Sequence, residues 1–269
     1  MPTSLTESLQ LLYREAMRAP WIGLTVWRGW SDDGETSAAR AGEDVLVLGG
    51  FLSHPAYYAP IGRTLGRRGY VVHFDEAFNA RPLLAHVAEL RERVDRIVQA
   101  SGAPLRVVGH SLGGIQAMVL LMEMPETIGQ VIAVASPVVG GTPWRPLQRL
   151  VERVLQVRAE ETEMLRRRLV PYAHRIVTIS SPHDLVAPPA TCAVEGAANL
   201  VLDDVARHDR LASHGGVIFA RPALRAVVDA LRAPLAATDD AVPFVPAAVA
   251  GSNPAQGQAI LHAASADLA

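Results

Sequence analysis

One serine, Ser111, stands between two glycines in the run Gly109-His110-Ser111-Leu112-Gly113, directly after a β-branched-rich stretch and directly before a helical pattern. A serine held on a tight strand-to-helix turn is presented as a nucleophile, because the turn lifts the hydroxyl into the crevice beyond the strand. Side chains at 109 or 113 would collide with the neighbouring strand and helix, so both positions require glycine. The helix that opens at Leu112 would set its N-terminus beneath negative charge developing at the reaction centre. The competing reading is a glycine-rich turn with Ser111 as a helix cap. Coincidence of strand, motif and helix favours the nucleophile.

A serine hydroxyl is weakly nucleophilic at neutral pH and needs a base, which itself needs an orienting acid. Behind a serine on this kind of turn the expected chain order is Ser, then Asp or Glu, then His. Asp184 in SSPHDLVAPP follows the apolar run RIVTISS and so lies on the required edge; its other reading is a turn or cap aspartate. Two histidines follow the next apolar run, His208 in ARHDR and His214 in ASHGGVIF. His214 is preferred, since Gly215 and Gly216 allow close backbone approach, whereas His208 sits in a charged stretch. His110 fills the variable place of the motif, His54 lies in a loop, and His73, His86, His174, His183 and His262 have packing or surface explanations. An oxyanion would be met by the N–H of Leu112 and by one from the loop after VLVLGG, most simply Phe51, with Gly49 and Gly50 permitting the turn.

These residues need a scaffold that brings strand ends together. Short apolar runs at 44–50, 70–76, 105–109, 130–136, 175–181 and 199–204 read as strands. Between and after them, helical spacing is expected within 55–69, over 81–102, 112–124 and 143–170, near 187–195 and over 216–232. This alternation implies a parallel sheet with helices on both faces and ligands bound beyond the carboxyl ends of the strands.

With 269 residues, 49% of them hydrophobic, the chain can bury a full core, and one globular domain over 1–232 is expected. A formal charge of −2 and no basic run longer than Arg166-Arg167-Arg168 leave no broad attraction for nucleic acid. The single cysteine, Cys192, excludes an intramolecular disulfide, and His183, Asp184, His208, Asp209 and His214 lack recognised metal-ligand spacing, so no metal or cofactor is expected. Glu7, Arg14, Glu15 and Arg18 break up the N-terminal stretch, which reads as an amphipathic helix over about 4–19 rather than an export signal. No apolar run is long enough to span a bilayer, and the cytoplasm is the expected location. The Ala/Pro-rich stretch 233–269 is expected to be a disordered tail.

Taken together, these motifs resemble the α/β-hydrolase superfamily, and within it small bacterial lipase-like serine hydrolases. The resemblance runs from about 44 to 232: LGGFLSHPAYYAPIGRTLGRRGYVVH is similar to an oxyanion loop and first crossover, VVGHSLGG to a nucleophile elbow, and ASHGGVIFARPAL to a histidine segment and closing helix. It implies the α/β-hydrolase fold, a mostly parallel central sheet with helices on both faces and a small helical lid or insert. Carried over by position, it implies Ser111 as nucleophile, Asp184 as acid, His214 as base, and Phe51 and Leu112 as oxyanion donors. One departure is Gly49-Gly50 where many relatives carry His-Gly; that histidine supports the loop, so the departure touches loop geometry. Segment 142–173 is read either as a lid, with Leu147, Leu150, Val151, Val154 and Leu155 on one apolar face, or as a plain crossover helix. The implied activity is carboxylic-ester hydrolysis through an acyl-enzyme on a small ester or lipid-like substrate. A silent hydrolase-like binding protein, and an acyltransferase or thioesterase with the same triad, are the alternatives.

Overall fold

The computed structural model of the chain describes residues 42–75, 79–138, 145–156, 159–202 and 213–235. Six strands form one sheet: β1 (Asp44–Leu48), β2 (Val71–Phe74), β3 (Leu105–His110), β4 (Ile128–Val134), β5 (Ile176–Ser180) and β6 (Ala198–Val201). They run in the order β2-β1-β3-β4-β5-β6 with every pairing parallel. Strand β3 is buried along its whole length, as a central strand covered on both faces must be. The pleat sends Leu46 and Leu48 to one apolar layer and Val45 and Val47 to the other.

The helices between the strands supply those two layers. Helices α2 (Leu83–Ser101) and α3 (Leu112–Glu123) contribute Leu83, Val87, Leu90, Met118 and Leu121 to the first. Helices α1 (Ala59–Gly66) and α7 (Arg221–Arg232) close the second with Ile61, Leu65, Leu224, Val227 and Leu231. Full burial of each such side chain is worth roughly 1.5–3 kcal/mol. Helix α2 stops where Gly102 takes φ 69°, a left-handed cap that glycine adopts without strain.

From 145 to 175, the described residues form α4 (Arg145–Leu155), α5 (Ala159–Arg168) and a 3-10 stretch, Val170–Arg175. Leu155, Leu165 and Leu169 are buried, and Val151 and Val154 pack against the same layer as Val131 and Ile176, while Leu150 remains exposed. Short α6 (Pro189–Cys192) precedes β6. The expected helix at 4–19 lies outside the described residues, as does the tail beyond Leu235. The first residues after α7 do join the fold. Buried Arg106 on β3 donates to the Ala233 carbonyl at 3.0 Å, and Gly129 leaves the room that Leu235 occupies. No helix among the described residues is long and apolar enough to cross a membrane.

Topology now locates the site. From β1 the chain crosses to β2 on one side, and from β3 to β4 on the other, so the sheet order reverses between the adjacent strands β1 and β3. A crevice opens at the carboxyl ends of strands that part in this way. The segment Gly49–Ser53 and Ser111 flank it.

Candidate active site

Ser111 links β3 to α3 with φ 55° and ψ −119°, a backbone conformation that a non-glycine residue adopts only when its surroundings hold it there. Its N–H donates to the Val134 carbonyl at 2.9 Å, and its own carbonyl accepts from Gly114 N–H at 3.1 Å. A Cβ on Gly109 would strike the backbone of Gly113 and Gly114. One on Gly113 would strike the carbonyls of Leu48 and Gly49, and one on Gly114 would strike Ser136. The turn therefore exists only with glycine at these three places. Ser111 makes no capping bond to α3 with its side chain.

Its hydroxyl instead lies 2.9 Å from Nε2 of His214, whose Nδ1 lies 2.9 Å from Oδ2 of Asp184. The other carboxylate oxygen, Oδ1, accepts from the N–H groups of Val186 at 2.9 Å and Ala187 at 2.8 Å. Asp184 is thus a turn-forming aspartate and the partner of His214 at once. Burial alone would raise its pKa, but the His214 imidazole and the Ala187 and Val186 N–H groups outweigh burial and hold it below the usual carboxylate value. A carboxylate on Nδ1 places the Nδ1–H tautomer on the ring and leaves Nε2 free to accept the serine proton.

The loop after β1 approaches Ser111 from the other side of the crevice. Gly50 N–H is taken by the Tyr58 hydroxyl at 2.7 Å, Leu52 N–H by the Asn79 carbonyl at 2.8 Å and Ser53 N–H by the Gly50 carbonyl at 3.1 Å. Phe51 N–H, between them, has no hydrogen-bond partner among the described residues, and neither has Leu112 N–H at the start of α3. Gly49 and Gly50 have no positive φ; the left-handed residue is Leu52, at φ 59°. Space is what requires them: a Cβ on Gly49 would enter Ser53 and the Tyr58 ring, and one on Gly50 would come within 3.2 Å of both Ser111 Cβ and His110.

A buried polar array stands behind the loop where a supporting histidine is missing. The Asn79 amide donates to the Gly49 carbonyl at 2.5 Å and to Gln116 Oε1 at 3.1 Å. Gln116 donates back to Asn79 Oδ1 at 3.1 Å and to His86 Nδ1 at 2.8 Å, while His86 Nε2 faces Asp75 at 2.7 Å. The amide donors of Asn79 and Gln116 each meet an acceptor, which is the condition for burying such polar groups.

His110 is buried one residue before the nucleophile, with Nδ1 2.9 Å from the Tyr58 hydroxyl and Nε2 2.9 Å from the His214 carbonyl. Burial, then the neighbouring His214, pushes its pKa from 6.5 down to about 3. Between these two values the unfolded chain carries a proton at residue 110 that the folded chain does not. Stability linked to His110 is therefore complete above pH 6.5 and falls as pH drops towards 3, with a slope of about 1.4 kcal/mol per pH unit. Urea unfolding at pH 7 and pH 5 will show the wild type losing about 2 kcal/mol more than His110→Gln, which has no group to titrate. Equal losses in the two proteins would remove His110 as the source.

Ser111, Asp184 and His214, expected from motif and chain order, are brought into hydrogen-bonded sequence; Phe51 lies on the loop after β1, and Leu112 is the first residue of α3. His208 lies outside the described residues. Sequence reasoning treated His110 as a variable position and His86 as ordinary packing, and it passed over Tyr58, Asn79 and Gln116. Only the adjacent tyrosines in PAYYAP, just after the loop, offered a signal for the first of these. Among the described residues no group of three or more His, Cys, Asp or Glu side chains is arranged to hold a metal ion.

A six-stranded parallel sheet with a serine elbow after its third strand, and an acid and a histidine after its last two, defines the α/β-hydrolase fold and a hydrolase of the serine type. The chain belongs to the family described as serine aminopeptidase S33, whose profile matches residues 40–233. Among solved structures, the mature lipase of Bacillus licheniformis is similar at 14% identity and TM-score 0.54, over 76% of this chain and 97% of that one. A structure titled for LipS and LipT, metagenome-derived lipolytic enzymes, is similar at 15% identity and TM-score 0.52, over 72% of this chain and 94% of that one. The monoacylglycerol lipase of Paleococcus ferrophilus follows at 16% identity and TM-score 0.50, over 71% and 96%. At these identities the likeness is one of fold. None of the curated proteins matches this sequence.

Proposed function

We propose that the protein hydrolyses carboxylic esters through a Ser111–His214–Asp184 triad and an acyl-enzyme. The observation that carries this reading is His214, with one ring nitrogen 2.9 Å from the Ser111 hydroxyl and the other 2.9 Å from a buried carboxylate. Ser111 Oγ attacks the ester carbonyl as its proton passes to His214 Nε2, and the resulting oxyanion is met by the N–H groups of Phe51 and Leu112. When the tetrahedral adduct collapses, the C–O bond to the alcohol breaks and the imidazolium returns the proton to the leaving oxygen. Water, deprotonated by His214, then attacks the acyl-enzyme, and the acid leaves as Ser111 regains its proton.

Leu52, next to Phe51 on the loop after β1, is 51% exposed, which favours an apolar acyl group. Of the two readings of segment 142–173, a lid or a plain crossover helix, the packing of Val151, Val154 and Leu155 on the sheet's apolar layer favours the crossover helix. The lipases and esterases among its structural neighbours agree with a small ester substrate. The family's description as an aminopeptidase keeps amide cleavage by the same triad as a second reading.

The test is a fluorophosphonate probe with mass mapping of the modified peptide. p-Nitrophenyl esters of two to twelve acyl carbons and aminoacyl p-nitroanilides are assayed on the same preparation. Modification of Ser111 with turnover of the esters and not the anilides is the expected result. Anilide turnover alone makes the protein a peptidase, and folded protein that neither labels nor turns over either class overturns both readings.

A further inference from the structure

Two buried side chains without a part in the proposed reaction join three segments of the site. Gly50 N–H donates to the Tyr58 hydroxyl at 2.7 Å, the hydroxyl faces His110 Nδ1 at 2.9 Å, and His110 Nε2 faces the His214 carbonyl at 2.9 Å. Proton positions along this chain are determined. A carbonyl only accepts, so Nε2 carries hydrogen; the neutral ring then accepts at Nδ1, and the tyrosine hydroxyl, already accepting from Gly50, donates there.

The chain holds each part close to where it would act. Gly50 is the residue before Phe51, His110 the residue before Ser111, and the carbonyl belongs to His214 itself. Tyr57 adds a second grip, donating from its hydroxyl to the Gly215 carbonyl at 2.7 Å while its ring packs edge-on against Tyr58 and Phe219. The 3-10 turn Pro55–Tyr58 thereby reaches two consecutive carbonyls of the histidine segment, one directly and one through His110.

We propose that Tyr58 and His110 are positioning residues that tie the loop carrying Phe51 to the backbone of His214, holding the oxyanion donor and the base at a fixed separation around Ser111. The proposal rests on the triad reading given above. Tyr58 is 1% and His110 4% exposed, and burial pushes the Tyr58 hydroxyl up to about 12 as it helps push His110 down. The link therefore keeps the same protons while His214 gains and loses its own. A charged ring at 110, with its centroid 5.2 Å from that of His214, would oppose protonation of the base; a neutral ring does not.

The test uses the full chain carrying Tyr58→Phe, His110→Leu, His110→Gln and the double variant Tyr58→Phe/His110→Leu. Measurements are kcat and KM on the best ester, melting temperature, and amide hydrogen exchange in the segments 49–53 and 213–217. Tyr58→Phe and His110→Leu are expected to lower kcat ten- to a hundredfold with KM within about twofold, as loosened catalytic geometry does. The double variant should be no slower than the slower single, because both break one link. His110→Gln, whose amide can still donate towards the His214 carbonyl, should recover part of the loss. Tyr58→Phe should speed exchange in both segments together, about tenfold or more, a readout that needs no turnover.

Singles within twofold of wild-type kcat overturn the proposal, as does faster exchange confined to 49–53, or strictly multiplied losses in the double variant. Should His110→Leu fail to melt cooperatively, Tyr58→Phe keeps its ring and carries the decision. Failure of the triad reading is seen separately, as wild-type protein that does not label at Ser111.

Discussion

On the proposed triad, Ser111→Ala is expected to keep its fold and to lose ester turnover by about 10⁴-fold or more. The size of the loss follows from a nucleophile that no other group replaces, leaving only the residual rate that binding and oxyanion donors supply in other serine triads. The fold survives because the hydroxyl carries no structural bond: it makes no cap to α3, and its interaction is with His214. Alanine tolerates φ 55° no worse than serine does, so the strain of the turn is unchanged. Steady-state kinetics, a fluorophosphonate label and a thermal melt on the same protein check all three statements. Turnover within tenfold of wild type would end the mechanism. A collapsed melt would show that the hydroxyl is needed for the turn itself.

Asp184→Asn is expected to lower kcat by about 10⁴ with the fold retained, by a different route. The aspartate uses one oxygen for Val186 and Ala187 N–H and the other for His214 Nδ1. An asparagine keeps its carbonyl oxygen on the two backbone donors and so turns its NH₂ towards Nδ1. That nitrogen must then accept, which moves the ring proton to Nε2, where it faces Ser111 and cannot take the serine proton. Comparable asparagine substitutions in other serine triads lose activity on this scale. Parallel kcat measurements with a melt decide it. Activity retained within tenfold would mean that Asp184 serves the turn at Val186 and Ala187 and not the histidine.

The two substitutions also separate kinds of information in the chain. The elbow is legible because its requirement is local: glycine at 109 and 113 is demanded by backbone atoms within a few residues or on the adjacent strand, and such sterics leave a short pattern. The strands were legible for a related reason, since burial on both faces writes continuous apolar runs. Boundaries shifted by one to three residues, as at 130–136 against Ile128–Val134, where hydrogen bonding and not composition ends a strand. The long helical stretch expected over 143–170 is two helices, α4 and α5, with Gln156 at φ 54° closing the first.

The reason assigned to Gly49 and Gly50 needed correction. The sequence presents them as glycines for a turn, yet neither has a positive φ, and what demands them is the approach of Tyr58, Ser53, His110 and Ser111. That approach comes from packing a 3-10 turn and a β3–α3 elbow against one loop. No local pattern announces it.

By itself, then, the sequence determined the alternation that builds a parallel sheet, the elbow that presents Ser111, and the order in which an acid and a histidine follow it. The sequence also pointed to His214, Phe51 and Leu112; what tertiary structure added is the hydrogen bond that carries His214 to the serine across 103 residues, and the buried array of Tyr58, His110, Asn79, Gln116 and His86 behind the loop. The physical reason is range. Sterics and burial act between near neighbours and recur as patterns, whereas a hydrogen bond between side chains far apart in sequence exists only once the sheet has brought its strand ends together.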